Sequence, residues 1–207
     1  MSDKPSLPEL VPLDHSSFKE LHQGPTSESN WIIPARVMMS SYPNDLVPQK
    51  GKEKIEKLMK AGINCFVCLQ TQDELSRFAP YKPHVESYLE ENNMDRSSVE
   101  FLNLEIPDTY VTSDEALMTF INKELIPRVT NDSCKMLIHC WGGHGRTGTV
   151  TACLISHLYK IGSEESLERV AKTHKCRERA RGRAPTTQPQ FKQVRRLAFG
   201  STGEDEE

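Results

Sequence analysis

No stretch of this 207-residue chain approaches the roughly 20 consecutive apolar residues that a helix needs to cross a bilayer. The first thirty residues carry Pro5, Pro8, Pro12 and Pro25 among polar side chains and have no apolar centre of the kind a secretory leader needs. A cytoplasmic chain without a membrane span, opening on a flexible arm over residues 1–30, is therefore expected. Internal repeats are absent. The six cysteines do not form a framework: Cys65 and Cys68 make a C-x-x-C pair, but no second pair follows at zinc-site spacing. Both sit in the apolar run Ile63-Asn64-Cys65-Phe66-Val67-Cys68-Leu69, where strand alternation turns them to opposite faces, so reduced core thiols are expected and a metal site is not. Aromatic residues are missing from the basic run Lys172, Lys175, Arg177, Arg179, Arg181 and Arg183, which argues against a base-stacking platform for nucleic acid.

What remains is the composition of one domain with a single core, about a quarter charged and with a formal net charge of −3. Residues 31–199 carry its pattern, and residues 200–207 form an acidic tail. Residues 31–39 read as an entry strand or hairpin, 52–61 as helix, 63–69 as a buried strand and 83–92 as helix. A strand from Val99 to Leu104, a helix from Asp114 to about Val129 capped by Ser113 or Thr112, and a short strand before residue 139 follow. At least two more helices lie beyond. This alternation predicts an α/β fold with a central, largely parallel sheet flanked by helices, whose ligands bind beyond the carboxyl ends of the strands.

The most informative stretch is Ile138-His139-Cys140-Trp141-Gly142-Gly143-His144-Gly145-Arg146-Thr147-Gly148, set between an apolar strand and a run with helical spacing. On such a turn, the backbone N–H groups of Trp141, Gly142, Gly143, His144 and Gly145 can point inward, and the helix adds its free donors and the positive end of its dipole. That is a seat for a phosphate dianion. A thiol at a helix N-terminus beside cations ionises more readily than a free one, with its pKa of about 8.5, and Cys140 is placed that way. Arg146 can grip two phosphate oxygens with a planar fork that lysine lacks. Thr147 can donate its hydroxyl to the Cys140 sulfur, and His139 orients the loop rather than acting as a base.

His139, Cys140, the five residues to Arg146, and Thr147 resemble the signature of the cysteine-dependent protein tyrosine phosphatase superfamily. Within it, Trp31-Ile32-Ile33-Pro34-Ala35-Arg36, Ser41-Tyr42-Pro43 and Cys140-Trp141-Gly142-Gly143 are similar to compact dual-specificity-like phosphatases, over about residues 31–199. Those relatives usually carry glycine at the position of Ala35 and an apolar residue at that of His144. The resemblance implies a phosphocysteine intermediate, no cofactor, and Asp108, in Glu105-Ile106-Pro107-Asp108-Thr109-Tyr110, as the general acid of a mobile loop. It further implies a water-positioning side chain near the C-terminus, with Gln190 as the best match, Thr186 at a related position and Gln188 as the other candidate.

The implied substrate is phosphotyrosine in a phosphoprotein, with phosphoserine and phosphothreonine as extensions. An inositol phosphate or phosphoinositide is the alternative. The basic run, with Arg177 and Arg183 foremost, would serve as a substrate contact for either, while the absence of lysine between Cys140 and Arg146 lowers the inositide reading. His144 is expected to be neutral rather than a cation at the phosphate rim. A binding module without turnover would not need Cys140, Asp108 and Arg146 together, and sulfur transfer would not need Asp108 or the Arg146-Thr147 pair. Cys68 is a candidate disulfide partner for oxidised Cys140.

Overall fold

The computed structural model describes residues 7–201, so the expected acidic tail lies, beyond Ser201, outside the described residues. A five-stranded sheet in the order β1-β2-β5-β3-β4 forms its centre. Strands β1 (Ser29–Ile33) and β2 (Val37–Ser40) pair antiparallel as a hairpin. Strands β3 (Cys65–Cys68), β4 (Glu100–Asn103) and β5 (Met136–His139) run parallel to one another and to β2, as the alternation predicts. In the hairpin turn, Ala35 has φ of 55°, a left-handed conformation that costs a side chain about 1 kcal/mol and explains why glycine suits this position.

The helices are α1 (Phe18–His22), α2 (Pro48–Lys60), α3 (Gln72–Leu75), α4 (Lys82–Glu91), α5 (Asp114–Phe120), α6 (Ile126–Val129), α7 (Gly145–Tyr159), α8 (Ser163–His174) and α9 (Gln188–Leu197). Apolar side chains of α2 and α4 cover one face of the sheet, around Phe66 and Leu137. On the other face, α7 lies innermost and α5, α8 and α9 enclose it. Residues 146–156 of α7 are therefore buried without interruption, on the polar as well as the apolar side of the helix. The single helix expected over 114–129 begins at the Ser113 cap, whose hydroxyl accepts from the Ala116 N–H, but it is interrupted by a π turn at Ile121–Leu125. Pro127, without an N–H to give the preceding turn, accounts for the break.

Residues 7–30 depart from the flexible arm expected there. The carbonyls of Pro8 and Val11 accept hydrogen bonds from Tyr159 Oη at 2.8 Å and Arg169 Nη1 at 3.0 Å, and that of Leu13 accepts one from Lys172 Nζ. Phe18 is buried beneath Lys172, and His22 Nδ1 shares a 2.8 Å hydrogen bond with the Trp31 carbonyl. A proline-rich segment cannot join a ladder through its missing N–H groups, but its carbonyls remain strong acceptors, and long side chains of α7 and α8 reach them.

Candidate active site

Strand β5 occupies the middle of the sheet and ends at His139, so the turn to α7 opens at the carboxyl edge, flanked by the ends of β2 and β3. The turn curls back on its own sulfur: the Gly143 N–H donates to Cys140 Sγ at 3.3 Å. Gly143 has φ of 70°, and a Cβ built there would lie 2.3 Å from the Ser40 carbonyl oxygen. Backbone sits on that side, so nothing can yield. Gly143→Ala should destabilise the fold by about 2–4 kcal/mol, the sum of left-handed strain and overpacking, and denaturant unfolding would measure it. An unchanged unfolding midpoint would show that the loop relaxes freely.

A second arginine holds the loop from outside. Arg177, 3% exposed, donates from Nη2 to the Gly143 carbonyl at 2.9 Å, from Nη1 to that of Gly142 at 3.5 Å, and from Nε to Asn30 Oδ1 at 2.7 Å. With those carbonyls tied outward, the Gly143 N–H turns inward onto the Cys140 sulfur. Arg177 was expected to touch substrate; instead its donors are consumed by the loop, and burial pushes its guanidinium down to about 10. Beside it, His144 Nδ1 and His174 Nε2 share a 2.7 Å hydrogen bond. Burial, and then the charge of Arg177, depress both imidazoles, that of His174 to about 3. Both rings are therefore biased towards the neutral form.

Arg146 is 1% exposed and fixed on one edge by Glu74, with Nη1 to Oε2 at 2.6 Å and Nη2 to Oε1 at 3.0 Å, and by the Ile106 carbonyl at 2.9 Å. Asp108 Oδ1 approaches Nη2 at 2.9 Å, while its side chain stays half exposed, and Arg146 Nε has no partner. Glu74 was not singled out in the sequence, although Thr71-Gln72-Asp73-Glu74 carries the spacing of a capping box and closes one here around α3. Burial would raise the Glu74 carboxyl, but hydrogen bonds from Arg146 and Thr71 outweigh it and hold the group below its ordinary range.

His139 is buried and shares a 2.9 Å hydrogen bond through Nε2 with the Tyr81 hydroxyl, and burial pushes it down to about 3. It is a neutral ring held by Tyr81. Thr147 does not donate to Cys140: its buried hydroxyl has no partner, and the sulfur accepts from the Gly143 N–H instead. Gln190 lies against the loop, since a Cβ on Gly145 would fall 2.7 Å from its Oε1. Its oxygen is already occupied by the Thr186 and Thr187 N–H groups at 3.0 and 3.1 Å, and its Nε2 donates to the Tyr110 carbonyl at 3.2 Å. With Thr187 Oγ1 on the Thr109 carbonyl and Gln193 Nε2 on that of Thr112, Gln190 pins the Asp108 loop to α9.

Other candidates fall outside the centre. Gln188 and Thr186 are exposed, and Arg183 is exposed and folds back on the Thr186 carbonyl and over the Phe191 ring. All six cysteines are free. Cys68 pairs in register with His139, one residue from Cys140, but burial pushes its thiol up to about 11, which makes it a slow partner for an oxidised sulfur.

Comparison with known proteins identifies the family and the fold. The model of the PTP-SAK family, described as "Swiss Army Knife protein, DSP-PTPase phosphatase domain", matches residues 26–205. A relative from Invertebrate iridescent virus 6, named "Putative tyrosine phosphatase 197R", is 27% identical over 125 residues, which cover 59% of this chain and 42% of that protein. The match thus spans less than half the length of that curated relative. The crystal structure of Tk-PTP in its active form superposes with a TM-score of 0.61 at 24% identity, covering 82% of this chain and 95% of that one. Kinase associated phosphatase, with its catalytic-site cysteine replaced by serine, does so with a TM-score of 0.59 at 20% identity, covering 76% and 83%. At those identities the solved structures establish the fold, and the family follows from the model that spans most of the chain. The chain belongs to the Swiss Army Knife family of DSP-PTPase phosphatase domains.

Proposed function

We propose that this phosphatase hydrolyses phosphotyrosine in proteins, with phosphoserine and phosphothreonine as slower substrates, through a phosphocysteine intermediate. The observation that carries the reading is the placement of Arg146, held by Glu74 on one edge and within 2.9 Å of Asp108, at the start of the helix that follows the Cys140 loop. Cys140 Sγ attacks phosphorus, and the ester P–O bond breaks as Asp108 gives its proton to the leaving oxygen. Arg146 and the loop amides hold the three equatorial oxygens, where charge is greatest in the transition state. A water then attacks phosphorus, gives its proton to the Asp108 carboxylate, and the S–P bond breaks to release phosphate. The dianion competes for the Arg146 edge that Asp108 occupies, which releases the Asp108 side chain towards the leaving oxygen.

Two exposed aromatic side chains support an aryl substrate. Trp141 projects from the Cys140 loop and Tyr110 from the Asp108 loop, 56% and 66% exposed, where they can flank a phosphotyrosine ring. The loop between Cys140 and Arg146 has no lysine to meet the further phosphates of an inositide. The test is phosphate release by wild type and Asp108→Asn from phosphotyrosine peptides, phosphothreonine peptides, inositol polyphosphates and p-nitrophenyl phosphate. Peptide turnover led by phosphotyrosine is expected, with the variant slower by about 10²–10⁴-fold on peptides. It should be much less impaired on p-nitrophenyl phosphate, whose leaving group departs without a proton. Equal losses on both would remove Asp108 from the role of acid.

A further inference from the structure

Beside the phosphate loop lies an open cleft of about 590 Å³, reached past Trp141, Gly142 and His144. Its charge runs against that of the whole chain, which is −3. Among its cations, Arg177 is consumed by the loop carbonyls, and Lys54 by Glu28 at 3.0 Å and by the carbonyls of Tyr42 and Asn44. Arg77, Arg179 and Arg181 differ. They are exposed, they reach the cleft from two segments a hundred residues apart, and no guanidinium among the three makes a hydrogen bond or close ion pair with a described residue, the charge of Arg179 reaching Glu28 only from a distance. Of the facing carboxylates, Glu74 is spent on Arg146, Glu28 is held by Lys54 and Ser41, and Asp45 accepts the Val47 N–H. Three exposed arginines whose guanidinium groups donate to no described residue therefore converge on a concavity that opens from the catalytic loop.

Building on the phosphatase reading above, we infer that this cleft binds a second anionic side chain of a peptide substrate, an acidic residue or second phosphate near the phosphotyrosine, through Arg77, Arg179 and Arg181. The remaining walls favour a peptide over a polyol. Tyr42, Phe78 and Trp141 line the cleft, Phe78 and Trp141 meet edge to face at 5.5 Å, and Leu46 stands 90% exposed at the rim. Such surfaces accept the side chains of a peptide, whereas the hydroxyls of a phosphorylated ring would lose water against them without a partner. The basic run thus divides. Arg179 and Arg181 face the cleft, whereas Arg177 braces the loop and Arg183 turns away towards Phe191.

The experiment compares kcat/KM on one phosphotyrosine peptide in three forms, with neutral flanks, with glutamates, and with a second phosphorylated residue, for wild type and for Arg179→Ala/Arg181→Ala. Each exposed contact contributes a fraction of a kcal/mol, so the anionic forms should lead the neutral one by about fivefold to tenfold in wild type. The lead should sit in KM, shrink as salt rises, and fall towards one in the double variant. Because the readout is a ratio, partial loss of folded protein cannot imitate it. A wild-type ratio near one, or a ratio the variant leaves unchanged, overturns the cleft assignment while peptide turnover keeps the phosphatase reading standing. Turnover confined to inositol polyphosphates overturns the peptide assignment. Failure to release phosphate even from p-nitrophenyl phosphate removes the phosphatase reading and this inference with it.

Discussion

Replacing Cys140 with serine is expected to lower phosphate release by on the order of 10⁵-fold while leaving phosphopeptide binding in place. A serine hydroxyl at neutral pH is not ionised, and no side chain of this site is arranged to take its proton. His139 is the nearest candidate base in sequence, but it is committed to Tyr81 and buried. The binding elements rest mainly on other groups. Arg177 holds the Gly142 and Gly143 carbonyls and Glu74 holds Arg146, while the sulfur takes one hydrogen bond, from the Gly143 N–H, that a hydroxyl oxygen can also accept. Calorimetric titration of Cys140→Ser with a phosphotyrosine peptide should therefore show binding near the wild-type KM. Residual turnover within tenfold of wild type would mean that the sulfur is not the nucleophile, and loss of binding would mean that the loop needs it structurally.

Arg146→Lys should cost both activity and stability, through different atoms. Turnover is expected to fall by about 10²–10³-fold, because an ammonium cannot hold two equatorial oxygens of the transition state in one plane. The second loss comes from the other edge of the same group. Glu74 and the Ile106 carbonyl receive three donors from Arg146, and a lysine, shorter and without the fork, leaves a buried carboxylate under-partnered at a cost of about 1–3 kcal/mol. The Glu74 carboxyl lies below its usual range in the folded chain, so this stabilisation is present above the unfolded-state value and fades as pH falls through the folded one. The stability difference between wild type and Arg146→Lys in denaturant titrations should accordingly narrow in acid. A variant as stable as wild type at pH 7 would show that Glu74 finds water instead.

The strands and most helices were legible because each is a local pattern. The apolar run at 63–69, the alternation around 99–104 and the glycine-rich turn after 139 depend on residues within a few positions of each other. Errors arose where a segment's fate was set by partners far along the chain. Residues 7–30 look unstructured by composition, yet donors at Tyr159, Arg169 and Lys172 dock them. Gln190 looks like a free polar side chain near the site, yet its amide groups are occupied by α9 and the Asp108 loop. Glu74 was overlooked because its spacing marks only a helix cap, while its partner lies 72 residues away.

By itself, the sequence determined the chemistry of the loop: a cysteine, a run of backbone donors and an arginine within seven consecutive positions can be brought together by one strand-to-helix turn, with no help from distant contacts. Only the tertiary structure decided what each cation does. Arg146 is clamped by Glu74, Arg177 braces the loop from behind, Arg183 turns to an aromatic ring, and Arg77 joins Arg179 and Arg181 at the cleft although a hundred residues separate them. Arginine is one residue type with one charge wherever it occurs in a sequence. Whether it holds substrate, loop or water depends on which acceptors and how much solvent the fold places around it.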